Sequence, residues 1–285
     1  MNEADFIAAL TRLSLHPGAR GFEDDCAVLE FGGETLILTH DAMAEGTHFR
    51  ADADIADVAW KLVASNLSDL AAKGAQPVGV LLGYCLGSDD QSFLQGLSQA
   101  LEAFDTPLLG GDTIKADGQR VFGLTAIGKA SANPVPSRGG AKVGDGIYVT
   151  GTLGRAMLGY EGDEDHLEAF NRPSPRLSEG QALAPHVSAM MDISDGLLLD
   201  AYRLAKASKV TLAIDSEAVP VAQPGRRDDA LRWGDDYELL FTLPEDTNPP
   251  IDATRIGQVE PLGFAPLLLD DNPILNAQGL GYEHS

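Results

Sequence analysis

Cationic side chains are scarce in this chain. Its 285 residues include 43 Asp and Glu but only 20 Lys and Arg, which gives a formal net charge of −23 at pH 7. Nucleic acids and anionic lipid surfaces are polyanions, which proteins bind through clustered Lys and Arg. The composition therefore predicts no nucleic acid and no membrane as partners. An anionic substrate would need a metal ion or a local basic group.

Cysteine and long apolar runs are also scarce. The two cysteines, Cys26 and Cys85, lie far apart in sequence and do not have the spacing of a disulfide framework or a zinc site. No apolar run approaches the roughly 20 residues that span a bilayer. We therefore expect a protein of the reducing cytoplasm.

Several motifs of phosphate and acyl chemistry are missing. The chain contains no G-x-x-x-x-G-K-[ST] loop to hold phosphates, no H-R-D or D-F-G signature of a protein kinase, and no G-x-S-x-G nucleophile elbow. The G-x-x-G at residues 151–154 lacks the rest of a dinucleotide fingerprint and is typical of a structural turn. If ATP binds, carboxylate-held metal must therefore neutralise most of the phosphate charge.

Six short acidic motifs lie where apolar runs meet Gly, Ser or Asn turns. They occupy residues 23–25, 40–41, 68–69, 110–112, 192–196 and 234–236. Any one of them could be a helix cap. Carboxylates brought together would repel by about 1 kcal/mol per pair even in bulk water, and a hard cation such as Mg²⁺ resolves that conflict. The pattern therefore predicts metal-dependent phosphate chemistry, whereas the acids at residues 161–168 are typical of a solvated surface.

Hydrophobic periodicity predicts alternating helices and strands. The predicted helices occupy residues 3–15, 57–72, 89–104, 155–160, a segment opening at 174–175, and the end of 189–204; the predicted strands occupy 35–39, 77–86, 121–130, 147–150, 237–243 and 266–269. Residues 131–146 are rich in Gly, Pro and Ser, which indicates a domain boundary. We predict an α/β (α+β) fold with two domains, residues 1–133 and 134–285.

Two of the predicted strands indicate an assembly. Residues 77–86 and 121–130 are apolar on both faces and need more cover than the few helices of the N-terminal half provide. We therefore expect a homodimer through that half.

The motifs, taken in order, resemble one enzyme family over nearly the whole chain. They are DDCAV at 24–28, EGTHF at 45–49, NLSDLAAKGAQP at 66–77, GGDT at 110–113, SRGGAKVGD at 137–145, RPSPR at 172–176, DISDG at 192–196, GDDYEL at 234–239 and GY at 281–282. This set is similar to the thiamine-monophosphate kinases, which share a fold with the aminoimidazole-ribonucleotide-synthetase superfamily.

The resemblance implies a two-domain, synthetase-like fold. It implies an N-terminal mixed sheet with helices that dimerises and binds ATP and metal, and a C-terminal α/β domain that completes the ATP and substrate site. The implied reaction is phosphorylation of thiamine monophosphate to thiamine diphosphate by direct in-line transfer from ATP, assisted by several Mg²⁺ ions. Because the acceptor is itself an anionic phosphate oxygen, no residue is needed as a general base.

The same resemblance implies a role for individual residues. The implied metal ligands are Asp25, Thr39, His40, Asp41, Asp69, Asp112, Asp192 and Asp195. The implied ATP contacts are Gly111, Asp112, Arg138 and Ser194, and the implied contacts to thiamine monophosphate are His48, Asp235 and Tyr282.

Three residues depart from the pattern of the family that the chain resembles. His40 stands where Thr is usual, Glu23 where Gly is usual, and Asp235 where Glu is usual. Two alternatives therefore stay open, another ATP-using synthetase of the same superfamily and a non-catalytic nucleotide-binding homologue.

Overall fold

The computed structural model describes residues 3–283, with side chains from residue 6 onward. Within this range the α-helices are α1 (Glu3–Leu10), α2 (Ile55–Ala72), α3 (Asp90–Ala103), α4 (Arg155–Tyr160), α5 (Leu167–Asn171), α6 (Leu177–Leu183), α7 (Leu197–Ser208) and α8 (Arg227–Arg232). The strands are β1 (Ala27–Phe31), β2 (Glu34–Ala44), β3 (Ala75–Cys85), β4 (Leu108–Ile114), β5 (Val121–Ala130), β6 (Gly146–Val149), β7 (Ala189–Ile193), β8 (Thr211–Ile214), β9 (Glu238–Leu243), β10 (Thr254–Glu260), β11 (Leu267–Leu269) and β12 (Asn272–Ile274).

The strands form two mixed sheets, one in each half of the chain. The first has the order β1-β2-β5-β3-β4, in which only β3 and β4 are parallel. The second has the order β12-β11-β8-β10-β6-β9-β7, in which only β11 and β8 are parallel. The predicted α/β (α+β) class is therefore confirmed, while the exact division at residues 133 and 134 stays a prediction.

Helix α2 lies between the two halves of the molecule. Its apolar face packs on the first sheet, where Leu62, Leu67 and Leu70 are fully buried. Its last turn, at Ala71 and Ala72, packs instead with residues of the second sheet. Because both sides are covered, polar residues on this helix must find partners inside the protein. Among the described helices, none has the length and apolar character needed to cross a membrane.

Strand β2 runs further than the sequence predicts. The predicted strand ends at Thr39, but the hydrogen-bonded ladder with β5 continues from Leu36 to Ala44. His40 and Asp41 therefore lie inside the strand, and successive side chains of a strand point to opposite faces. This alternation separates two residues that the sequence places side by side.

Two predicted helices have different bounds in the structure. The first ends at Leu10 rather than residue 15, and the Thr11 hydroxyl donates to the Ala8 carbonyl at 2.9 Å, a side-chain bond that competes with helix continuation. The helix predicted to open at residues 174–175 begins at Leu177, after a tight turn in which the Leu177 amide donates to the Pro175 carbonyl.

Strand β3 is buried on one face only. Val80 is fully buried, while Val78 and Leu81 are exposed, so one of the two apolar faces predicted for residues 77–86 is uncovered in the isolated chain. Residues 110–112 form part of β4, an exposed strand that the sequence does not reveal because its paired glycines are typical of a turn.

Candidate active site

Three carboxylates from distant parts of the chain meet at the junction of the two sheets. Asp25 precedes β1, Asp69 lies on the last turn of α2, and Asp192 lies in β7. One oxygen from each lies within 4.8 Å of the others. The N-terminal half supplies two of these groups and the C-terminal half supplies the third, so the cluster forms only when the halves are packed together.

Burial makes two of these carboxyl groups, Asp69 and Asp192, hard to ionise. Burial, followed by the charge of Asp25, raises the pKa of Asp192 to about 8. Burial, followed by the charges of Asp41 and Asp192, raises the pKa of Asp69 well above its usual value. A nearby positive charge favours the ionised form of such carboxyl groups. Clustered carboxylate oxygens are therefore suitable ligands for a hard divalent cation such as Mg²⁺.

Hydroxyl and amide groups hold the cluster in place. The Thr39 hydroxyl donates to the Asp69 carboxylate, and the Ser68 hydroxyl donates to Asp192 Oδ2 at 2.6 Å. The Asn66 side-chain carbonyl accepts from the backbone N–H of Asp41 at 2.9 Å. Helical spacing predicts that Asn66 and Asp69 share a face of α2, and both indeed point toward the strand that carries Thr39 and Asp41.

Basic side chains partly neutralise the cluster. Lys73, at the end of α2, is fully buried, with its ammonium 2.6 Å from Asp25 Oδ2 and also paired with Asp24. Arg138 pairs with the other Asp25 oxygen, and Arg20 pairs with Asp24 at 2.5 Å. Despite burial, the charges of the neighbouring acids raise the pKa of Arg138. Arg138 is predicted as an ATP contact, and the structure places it against a carboxylate instead of in solvent.

The loop after β7 places Asp195 near the same site. The Asp195 carboxylate pairs with Arg203 at 2.5 Å, and its backbone N–H donates to Asp200 at 3.1 Å. Burial, followed by the charge of Asp195, raises the pKa of Asp200 to about 7. Burial raises the pKa of Asp41 too, and the negative charges of Asp195 and Asp25 add to that effect. The predicted ligands Asp41 and Asp195 are thus within electrostatic reach of each other.

Two predicted ligands lie away from the cluster. The imidazole of His40 is on the opposite face of β2 from Thr39, where its Nδ1 lies 2.9 Å from the Thr125 hydroxyl. Its ring therefore cannot join the ions of its own chain. Asp112 is exposed on β4, which is separated from β2 by β5 and β3. Three strand spacings amount to about 14 Å.

Steric crowding explains why position 111 is a glycine. Its φ is +153°, and a Cβ atom there would lie 1.9 Å from the Leu82 carbonyl oxygen on the paired strand. Gly111 therefore allows β4 to approach β3 closely. The predicted ATP contact at this position would have to be made by backbone atoms.

A cleft of about 330 Å³ opens beside the other end of α2. His48, Lys61, Tyr160 and Phe170 are among its lining residues. The Lys61 ammonium lies 2.7 Å from Asp235 Oδ2 and 3.9 Å from the centroid of the Phe170 ring. The cleft therefore brings His48 close to a charged pair that includes Asp235.

The C-terminal segment reaches the loop that carries Asp195. The Tyr282 backbone N–H donates to the Asp195 carbonyl at 2.9 Å, and a Cβ atom on Gly281 would lie 2.2 Å from that same oxygen. The Tyr282 side chain is about half exposed. Ser194, in the same loop, accepts the backbone N–H of Asp235 at 2.8 Å, so predicted ATP and substrate residues are neighbours here.

Sequence reasoning identified Arg138 but missed three other basic residues of the site, Lys61, Lys73 and Arg203. Lys61 lies in α2 and Lys73 directly follows its last residue. The local sequence around each lysine also fits a side chain that reaches solvent, so it did not reveal the buried ion pairs. Arg203 and its partner Asp200 are three residues apart on α7, and an i,i+3 pair of opposite charges is common on an ordinary amphipathic helix, so this pair carried no signal of the site.

The family models of known proteins match both halves of the chain. Residues 23–130 match the N-terminal domain of AIR synthase related protein, and residues 142–261 match its C-terminal domain. The two halves of the chain, each with its mixed sheet, therefore belong to the AIR synthase related proteins.

Individual relatives narrow the family. Thiamine-monophosphate kinase of Salmonella typhimurium is 39% identical, over 84% of this chain and 80% of that protein. The enzyme of the same name from Escherichia coli strain K12 is 35% identical, over 93% of this chain and 91% of that protein. The solved structure of AaThiL complexed with AMPPCP and TMP has a TM-score of 0.88 and 29% identity, covering 100% of this chain and 97% of that chain. The chain belongs to the thiamine-monophosphate kinase family.

Proposed function

We propose that this protein transfers the terminal phosphoryl group of ATP to the phosphate of thiamine monophosphate, in line and with the help of several Mg²⁺ ions. The observation that carries the proposal is the meeting of Asp25, Asp69 and Asp192 within 4.8 Å at the junction of the two halves. Both partners of the reaction are anionic, so placement and charge neutralisation are the main tasks of the site.

The proposed metal ligands, together called the metal set, include first the three clustered carboxylates. Asp41 and Asp195 would extend it, and Thr39 would orient Asp69 through its hydroxyl. Of His40, only the backbone could take part, since the ring lies on the other face of β2. Bound Mg²⁺ would supply neutralisation of the phosphate charge.

The nucleotide would lie beside Arg138 and the loop at Ser194. Arg138 pairs with Asp25 through one nitrogen of its guanidinium and its side chain is 19% exposed, so the group keeps other donors for a phosphate oxygen. Such a contact would orient ATP across the junction of the two halves.

The acceptor would occupy the cleft beside Lys61. Along α2, Lys61 and Asp69 are eight residues apart, which corresponds to about 12 Å. A molecule held at the cleft could therefore extend its phosphate toward the carboxylates. His48 would contact it from the cleft wall and Asp235 from beside Lys61, and the half-exposed ring of Tyr282 would offer a π face to a cationic thiazolium.

A homodimer would cover the open face of the first sheet. Exposed apolar side chains on this sheet include Val78, Leu81, Leu109 and Val121. Exposed apolar area of this kind marks a protein interface. At about 14 Å, Asp112 is too distant to share an ion with Asp41 of its own chain. In the dimer, Gly111 and Asp112 would instead serve the site of the partner subunit.

We further propose that the protein acts in the cytoplasm. Its two cysteines, Cys26 and Cys85, are buried free thiols. Unpaired cysteines of this kind fit a reducing compartment.

A coupled ADP-release assay tests the proposed reaction. Thiamine monophosphate should stimulate ADP formation in the presence of MgCl₂, and EDTA should abolish the stimulation. Stimulation by an aminoimidazole precursor instead would place the protein with the synthetases. ADP release that no acceptor stimulates, with ATP still bound, would favour a non-catalytic nucleotide-binding protein.

A further inference from the structure

The carboxylate cluster contains a fixed positive charge that belongs to the chain itself. Lys73 lies one helical turn beyond Asp69 and is 0% exposed. Its ammonium pairs with Asp24, lies 2.6 Å from Asp25 Oδ2 and donates to the Met190 carbonyl at 3.3 Å. Met190 is in β7, two residues before Asp192. Lys73 therefore joins the first half of the chain to the strand that carries the third carboxylate.

The geometry of these contacts separates Lys73 from a phosphate-binding lysine. An ammonium group has three N–H donors. Lys73 donates to Asp24 and to the Met190 carbonyl, and its Nζ lies 2.6 Å from Asp25 Oδ2. Because its side chain is also 0% exposed, it has no access to a substrate. Arg138 differs, because its side chain is 19% exposed.

We propose that Lys73 is a resident cation of the active site. Its ammonium takes the position of one divalent ion, holds Asp24 and Asp25 in place before any metal binds, and limits the number of ions that the site accepts. The inference rests on the proposed metal set. It assigns Lys73 as a positioning residue, since it acts through the carboxylates and does not touch a substrate.

The electrostatic reasoning is direct. Without Lys73, the buried carboxylates Asp24 and Asp25 would keep only Arg20 and Arg138 as counterions. Removing one partner of a buried ion pair leaves an uncompensated charge, which destabilises the fold. A divalent ion could then replace the missing ammonium, so the loss should be largest in metal-free protein and should shrink when metal is added.

The variant Lys73→Met tests the proposal, with Lys129→Met as its control. Lys129 is half exposed and pairs with Glu34 at 2.7 Å, so its replacement removes the same charge from a surface pair. In EDTA, Lys73→Met should lower Tm by on the order of 10 °C, whereas Lys129→Met should change it little. MnCl₂ should recover most of the loss. Titration calorimetry with MnCl₂ and a non-hydrolysable ATP analogue should give one more ion per chain for Lys73→Met than for the wild type.

The outcomes distinguish the two proposals. Equal ion numbers for the wild type and Lys73→Met, with the same loss of Tm in EDTA and in MnCl₂, would overturn the role of Lys73 alone. A wild type that binds no Mn²⁺ would overturn the proposed metal set as well. If Lys73→Met does not fold even with MnCl₂, Lys73→Gln replaces it in the same experiment. This variant keeps two N–H donors and loses the charge. A number of bound ions equal to that of the wild type would again reject the proposal.

Discussion

Asp69 is the residue on which the metal site depends most. It accepts from Thr39, lies within 4.8 Å of Asp25 and Asp192, and is partly buried. Burial and its acidic neighbours raise its pKa, which makes the ionised form unfavourable in the metal-free protein. An asparagine has nearly the same shape as the acid and carries no charge.

We therefore predict opposite effects of Asp69→Asn on stability and activity. The Tm in EDTA should stay the same or rise, because the variant removes a buried group that resists ionisation. ADP release should fall by orders of magnitude, and MgATP should raise Tm much less than in the wild type. Thermal melts and the coupled assay measure both effects. Glu164→Gln, at an exposed acid, should leave both unchanged. If Asp69→Asn keeps the turnover of the wild type and the same rise in Tm with MgATP, Asp69 has only a structural role.

At the residue scale, sequence reasoning found acids more readily than their counterions. The acidic motifs include Asp25, Asp69 and Asp192, and the structure brings these three carboxylates together. Their role as metal ligands stays a prediction. The partners of Lys61 and Lys73 come from distant segments that only tertiary packing brings near. A lysine within an apolar helix has the same local sequence whether it reaches solvent or a carboxylate of the other domain.

At the scale of elements, α2 is the central structural unit of the site. It carries Lys61 to the cleft, Asp69 to the carboxylates and Lys73 to the countercharge. Helix α6 of the other half packs directly on its backbone, since a Cβ atom on Gly180 would lie 2.0 Å from the Ala71 carbonyl oxygen. The position of the site residues therefore depends on this close contact between helices.

We predict that Gly180→Ala destabilises the protein and impairs turnover. The added methyl group meets rigid backbone, so the overlap should outweigh the better helix propensity of alanine and lower stability by about 1–3 kcal/mol. Displacing α2 by even 1 Å can cost on the order of 100-fold in rate. Gly225→Ala is the matched control, because a Cβ atom there would meet nothing within 4 Å. Denaturant unfolding and ADP release should separate the two variants, and equal behaviour would show that α6 and α2 can move apart freely.

The elements that sequence reasoning predicted well are the long periodic ones. Residues 57–72 and 121–130 match α2 and β5 closely because their patterns extend over many residues. Strands β8, β10 and β12 were missed, because they are short or lack strict alternation and depend on their neighbours for pairing. The extension of β2 past Thr39 was missed for a related reason, since a polar pair within a strand is typical of its end.

At the scale of the whole molecule, the open face of the first sheet predicts the assembly. Leu81 is exposed near the middle of this sheet, where β3 pairs with both β4 and β5. At micromolar concentration, light scattering should give the mass of two chains for the wild type and the mass of one chain for Leu81→Asp. The reason is that the new carboxylate would have to be desolvated in an apolar interface. Phe264→Asp, at an exposed ring in the C-terminal half, should remain dimeric. A wild type with the mass of one chain would contradict the proposed dimer.

The coupling of protons to metal gives the last prediction for the whole molecule. Burial raises the pKa of Asp192 to about 8 and of Asp200 and Asp236 to about 7, whereas an unfolded Asp titrates near 3.8. Between these values the folded protein binds more protons than the unfolded chain, so stability in EDTA should fall as pH rises from about 5 to 8. Magnesium binds the ionised form of its ligands, so the gain in Tm on adding MgCl₂ should increase over the same range. Melts in EDTA and in MgCl₂ at four pH values measure both slopes. Asp192→Asn cannot ionise at this position, so both pH slopes should be smaller in this variant. If the gain in Tm of the wild type does not depend on pH, metal binds elsewhere than at these carboxylates.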